Sequence, residues 1–191
     1  MIYEQVFYMK PLLFLLLISL IAVILTAGYP VHAESAEWWF NKGEELRKSG
    51  EYQDAADAYD QAIQIDPEYS DAWTMKGLTL NKLEKYKEAI ISLDKEIERN
   101  PQDSYAWYGR GYSLYCLGEF EDAIDALEQS SQINPDRINT WIVLGDCFTA
   151  LGEYKKAVDA YDQALTIDPN HEGARVNRDL AVRYLHGWLP A

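Results

Sequence analysis

Tyr105, Tyr108, Tyr112 and Tyr115 follow one another at spacings of three, four and three residues. On a helix that spacing gathers four phenols onto one face. A phenol combines a wide apolar ring, few torsions to freeze and a hydroxyl that hydrogen-bonds, so such a stripe suits recognition of another chain. The same spacing also serves packing against a neighbouring helix, and both readings stand at the level of sequence. Bond-making chemistry has no comparable signal. After residue 33 the histidines are His171 and His186, close to the C-terminal end. No nucleophile–base pair, HExxH, CxxC or glycine-rich phosphate loop occurs. By the criteria for a catalytic site the expectation is not an enzyme, with no catalytic residues, no cofactor and no metal. Cys116 and Cys147 are too few for a disulfide framework or a four-ligand zinc site. They read either as buried free thiols or as one disulfide.

The charge balance limits the partner. The 191 residues carry 17 Lys+Arg against 31 Asp+Glu, a formal charge of -14. A phosphate backbone needs clustered cations to displace its counterions, so nucleic acid is excluded as a partner. At 48% hydrophobic the chain is not disordered throughout. Residues 1–33 hold one acid, Glu4, and one base, Lys10, so the whole negative charge falls on 34–191. That part is expected to be soluble and to attract cationic or apolar segments.

Residues 1–33 read as a leader. Leu12 to Ala27 carries no charge, Gly28, Tyr29 and Pro30 break it, and Val31-His32-Ala33 has the small-x-small pattern of a cleavage site. Its length falls between an ordinary signal core and a membrane span, which leaves a cleaved signal peptide or a retained anchor. Lys10 before the run and Glu34 and Glu37 after it keep the N-terminus inside. The remainder is therefore expected outside, secreted or membrane-anchored, touching the membrane only through this segment.

What must position the tyrosines is a repeat. Prolines fall at Pro67, Pro101, Pro135 and Pro169, each 34 residues from the last. Trp39, Trp73, Trp107 and Trp141 keep the same interval, as do Gly43, Gly77, Gly111 and Gly145, and Ala55, Ala89, Ala123 and Ala157. Tyr52, Tyr86, Phe120 and Tyr154 form a fifth column. Within each period two apolar-periodic stretches flank a short break, so the unit reads as two helices. Gly50, Gly118 and Gly152 supply the left-handed residue that ends the first helix. The second unit has Leu83-Glu84 there and must turn without glycine. Proline closes the second helix by disfavouring helix in the Asp or Asn before it.

In these columns the chain resembles the tetratricopeptide repeat family, matched in 36–69, 70–103, 104–137 and 138–171. The resemblance implies an all-α, right-handed superhelical solenoid whose first helices line a concave groove that binds peptides or protein segments. Residues 172–191 then supply a capping helix, with Leu180, Tyr184 and Leu185 turned to the last unit. Local departures are Glu96 and Ser130 where Ala62 and Ala164 stand elsewhere, and Arg99 where Ile65, Ile133 and Ile167 stand. Looser packing after the second unit is the expectation.

Helical spacing then gives the groove positions. Unit one offers Glu37, Phe40, Glu44 and Arg47, unit two Asp71, Thr74, Leu78 and Asn81, and unit four Asn139, Ile142, Asp146 and Thr149. The residues expected to bind are Phe40, Glu44, Arg47, Leu78, Tyr105, Tyr108, Tyr112, Tyr115, Ile142 and Asp146. Some family members clamp a partner's C-terminal carboxylate with Lys, Arg and Asn. Here Phe40, Glu44, Leu78 and Tyr112 occupy comparable positions, so a basic or apolar segment is expected instead. Asp60, Asp94, Glu128 and Asp162 form an acidic column on the second helices, read as a solvated convex surface. The function expected is a protein-binding scaffold; the alternative is a structural component that self-associates through its repeat ends.

Overall fold

A computed structural model describes residues 35–188. The predicted leader, its cleavage site and the anchor alternative lie outside the described residues. Among the described residues every regular element is an α-helix, and none is long and apolar enough to cross a membrane. The first unit holds α1 (Ala36–Ser49) and α2 (Tyr52–Ile65). The second holds α3 (Ser70–Lys82) and α4 (Tyr86–Arg99), and the third α5 (Ser104–Leu117) and α6 (Phe120–Ile133). The fourth holds α7 (Ile138–Ala150) and α8 (Tyr154–Ile167), followed by α9 (Glu172–Leu185). Each helix packs on the next, and first helices also touch across units, α3 with α5, α5 with α7 and α7 with α9. The result is an all-α repeat solenoid with the first helices along one side.

The columns of the sequence are the joints of this stack. A side-chain carbon at Gly43 would come within 2.6 Å of Tyr59, and one at Gly111 within 2.6 Å of Leu127, so only glycine lets the two helices of a unit cross so closely. Asp66, Asn100, Asn134 and Asp168 each accept, through a side-chain oxygen, the backbone N–H two residues on. These local bonds turn the chain at the proline. The indoles of Trp73, Trp107 and Trp141 then donate to the carbonyls of Pro67, Pro101 and Pro135 at 3.0, 2.9 and 2.7 Å. Each tryptophan is therefore a latch on the preceding turn as well as an apolar anchor. Gly50, Gly118 and Gly152 take φ of 85°, 81° and 75°, and in the unit without glycine Glu84 takes φ 59°. A side chain there bears the steric cost of the left-handed region.

Two expectations change. The acidic column is not merely solvated. Asp60 pairs with Lys76 at 2.5 Å, Asp94 with Arg110 at 2.7 Å and Asp162 with Arg178 at 2.8 Å, each cation sixteen residues on, in the next unit or on α9. Glu128 breaks the series because Leu144 stands at that interval. Nor does Arg99 loosen the second unit. Its guanidinium lies 5.4 Å from the Trp73 ring centre, donates to the Pro67 carbonyl and bridges Glu68. Glu96, only 1% exposed, receives the Ser70 hydroxyl on one oxygen and has no partner for the other. Burial, then the nearby Asp103 and Asp71, holds its carboxyl above the usual range.

At the far end α9 buries Ala174 and Ala181. Asn177 donates to Asp146, and Tyr184 stacks on Tyr154 with ring centres 4.9 Å apart. Cys116 and Cys147 are both free thiols, and burial pushes the Cys147 thiol up to about 12.

Candidate functional site

Along the side formed by the first helices runs a groove enclosing a cavity of about 480 Å³. Leu78 and Met75 of α3 and Ile142 and Val143 of α7 give it apolar walls, and Tyr105, Tyr108 and Tyr112 of α5 lie between them. Its floor is built by a close approach outside the repeated columns. A side-chain carbon at Gly109 would meet Leu78 at 2.8 Å, so α5 sits tightly on α3 there. Asn81 spans the joint, donating to the Gly109 carbonyl at 3.0 Å and accepting the Ser113 hydroxyl at 2.6 Å. Both side chains of that pair are buried and satisfied, which fixes the register of the two helices.

The tyrosine stripe divides along its length. Tyr105 is 55% exposed, whereas Tyr108 and Tyr112 are half-buried with ring centres 6.3 Å apart. Burial raises the phenol of Tyr108, and burial followed by the Cys116 thiol pushes that of Tyr112 up to about 12. Both therefore stay neutral hydrogen-bonding groups at physiological pH. Tyr115 leaves the groove. It packs on Phe120 at 6.0 Å and lines a separate recess with Cys116 and Ala150.

Of the residues expected from the sequence, Arg47, Leu78, Tyr105, Tyr108, Tyr112 and Ile142 line this cavity. Phe40, Glu44, Tyr115 and Asp146 are not among its lining. Phe40 packs on Tyr59 and Tyr69, with ring centres 5.7 and 5.2 Å away. Glu44 accepts the Tyr59 hydroxyl at 2.6 Å and two guanidinium bonds from Arg47 at 3.0 and 2.9 Å. The Arg47 bond holds its carboxyl below the usual range. Asp146 accepts from Tyr161 at 2.7 Å and Asn177 at 3.0 Å, and burial raises its carboxyl. Both acids are committed to holding helices together.

Asn81 and Asn139, groove positions by helical spacing, line it as well, and residues not expected from the sequence complete it: Tyr52, Met75, Lys82, Arg137 and Val143. Arg137 is the most informative. Its guanidinium lies 3.5 Å from the Tyr105 ring centre and 5.6 Å from that of Tyr108, and Nη2 donates to Ser104 at 2.9 Å. Its Nε is buried without a partner. Arg137 occupies the position before a first helix, where Asp103 caps α5 by accepting the Tyr105 N–H at 2.7 Å. An arginine cannot accept that bond, and a cation at a helix N-terminus is unfavourable. The residue at this position changes from unit to unit, Tyr69, Asp103, Arg137 and His171, so no column in the sequence marks it.

A second cavity, of about 450 Å³, opens between α6, α7 and α8, lined by Glu128, Leu144, Phe148 and Lys156. It coincides with the step at which the acidic column lacks its cation. Among the described residues no group of His, Cys, Asp or Glu is arranged to hold a metal ion.

Sequence models of the tetratricopeptide repeat match residues 25–70, 40–104 and 102–170. Among solved structures the chain is similar to that of MamA protein, at 25% identity and TM-score 0.68, covering 81% of this chain and 90% of that one. It shares its fold with MamA from Desulfovibrio magneticus RS-1 (23% identity, TM-score 0.66, 72% and 77% covered). It also shares it with YrrB, described as a TPR protein with an unusual peptide-binding site (24% identity, TM-score 0.67, 75% and 74% covered). No curated protein matches the chain.

Proposed function

The chain belongs to the tetratricopeptide repeat family, a scaffold fold for protein–protein interaction, and on that premise we propose that it binds a segment of a partner protein in the groove of α1, α3, α5 and α7. The observation that carries this reading is the partial exposure of Tyr105, Tyr108 and Tyr112 beside Leu78 and Ile142 around one cavity. Partly exposed aromatic rings contribute contact area at little entropic cost. The groove does no bond chemistry in this reading. The scaffold is non-enzymatic and exported, held at or released from the outer face of the membrane. That address is supported by the uncharged run and small-x-small site in residues 1–33. A protease added outside intact cells digests it if the address is right and leaves it whole if it is not.

The groove is tested by Tyr108→Ala with Tyr112→Ala. Proteins retained on the immobilised wild-type chain should be lost from the variant, since truncating an interface anchor costs about 2 kcal/mol or more. Trp107→Ala is the control, because it removes the latch on Pro101 and should lower the melting temperature first. If the tyrosine pair unfolds the chain as badly as that control, the stripe is core and the groove loses its support.

One observation favours the alternative, self-association through the repeat ends. On α9 Val176 is 58% exposed and Trp188, just beyond it, 67% exposed, and Leu180 and Leu185, expected against the last unit, are also exposed in part, Leu185 beside Tyr154. A solenoid end normally closes with a polar face. Sedimentation decides between the two. A monomer at high concentration supports the groove module, and oligomers abolished by Val176→Asp support assembly.

A further inference from the structure

The chain as a whole is acidic, yet its groove is not. Arg47, Lys82 and Arg137 line the cavity and no carboxylate does, in a chain of formal charge -14. Two of these cations differ in how far they are already neutralised. Arg47 is held by both oxygens of Glu44. Arg137 has only the Ser104 hydroxyl and the Tyr105 face, and among the described residues no carboxylate lies within ion-pair distance of it. Arg99, Arg110 and Arg178 each pair with an acid, and Arg175 and Arg183 are exposed on α9, so Arg137 is set apart by standing partly buried at the groove wall without one. Asp103 caps α5 at the equivalent position, whereas Arg137 makes no capping bond to α7 and stands instead as a cation at that helix N-terminus, stacked at the groove wall.

Resting on the groove reading above, we infer that the partner segment is acidic: an extended stretch placing a side-chain carboxylate against Arg137 and a neighbouring apolar side chain between Leu78 and Ile142. The guanidinium offers a carboxylate two parallel N–H donors, and the ring beneath it fixes the plane of that fork. Charge complementarity in the groove thus opposes the field of the rest of the molecule. A merely electrostatic attraction to the surface would select basic segments, whereas docking at Arg137 selects acidic ones.

The test uses the full chain and an array of acetylated, amidated hexapeptides, so that no terminal charge enters. One set carries Asp-Phe-Asp-Leu, a second Lys-Phe-Lys-Leu and a third Ser-Phe-Ser-Leu at the centre, at physiological ionic strength. The acidic set should bind at least about tenfold more tightly than the basic one, the contribution of one charge-assisted pair. That preference should collapse in Arg137→Gln, which keeps a planar group on Tyr105, and weaken in Lys82→Gln, an exposed position where folding is not at stake. Melting temperatures of both variants are measured alongside. Basic or neutral peptides binding as well as acidic ones, and released by Tyr108→Ala with Tyr112→Ala, would overturn the acidic assignment while the groove stands. Binding that ignores the tyrosine pair, or no binding by any set, rejects the groove itself.

Discussion

The outer units of the stack differ from the inner ones at a pair of columns that pack against each other. In units one and four the second helix carries a tyrosine, Tyr59 or Tyr161, buried and donating its hydroxyl to an acid on the first helix, Glu44 or Asp146. In units two and three the second helix carries Leu93 or Leu127 there, also buried, and the first-helix positions are Leu78 and Tyr112. A leucine asks nothing of its neighbour, so Leu78 and Tyr112 are free to face the groove. A buried phenol demands an acceptor, so Glu44 and Asp146 are consumed inside the stack. At this pair of columns apolar packing leaves the inner first-helix side chains at the groove, and polar packing draws the outer ones into the stack.

The sharpest way to break that contrast is Tyr161→Ala against Tyr112→Ala. Removing the fully buried ring should cost about 3–5 kcal/mol of folding stability, by analogy with other large buried side chains. Removing the half-buried one should cost clearly less, and denaturant unfolding of the two variants measures the difference. Equal losses would mean that Tyr112 is as structural as Tyr161.

A gentler change isolates the hydrogen bond. Tyr161→Phe keeps the ring but leaves Asp146 with Asn177 as its remaining side-chain donor. A loss of about 1–3 kcal/mol is expected for an under-satisfied buried acid. Leu127→Met, at the matching inner position, should stay below about 1.5 kcal/mol.

Much of this was legible before any coordinates. Five columns at an interval of 34 residues give the helix pairs, their crossings and their turns. Helical spacing alone names Leu78, Tyr108, Tyr112 and Ile142, which do line the cavity. It cannot separate them from Glu44 and Asp146, because spacing says which face a residue shares and not whether a partner on the next helix claims it. Reading the two columns together supplies that: acid and tyrosine occur jointly in units one and four. The acidic column was misread for a related reason. Its cations lie sixteen residues on, a spacing outside any one helix, so only the stacked units show the pairing. Arg137 was overlooked because it sits in a turn, where no periodicity points.

A smaller test concerns the turns. Glu84→Gly should stabilise the chain by about 1 kcal/mol by relieving the left-handed side chain at φ 59°. No gain in melting temperature would mean that the Leu83-Glu84 turn bears no strain.

The smallest effects are the pH signatures of the two outer acids, which have opposite signs. Glu44 is held low by Arg47, so its contribution is present above the ordinary glutamate range and lost as pH falls through its lowered value. Asp146 is held high by burial, so the folded state binds its proton more tightly than the unfolded chain does. Its contribution is therefore lost as pH rises from 3.8 through the raised value. In melting curves across these ranges, Asp146→Asn should flatten the decline that sets in as pH rises from 3.8, and Glu44→Gln the decline as pH falls below the ordinary glutamate range. The same change in slope from both variants would contradict the assignment of two different environments.

The central claim, that the face built by the first helices is the one that meets a partner, is tested most directly by site-specific photo-crosslinking. A benzophenone side chain is placed at Leu78 or Ile142 in the groove, and at Ile91, which is 64% exposed on α4. The account predicts one shared partner adduct from the two groove positions, absent from position 91 and lost when Arg137→Gln is added. Adducts from position 91 alone, or only between copies of the chain, would contradict it.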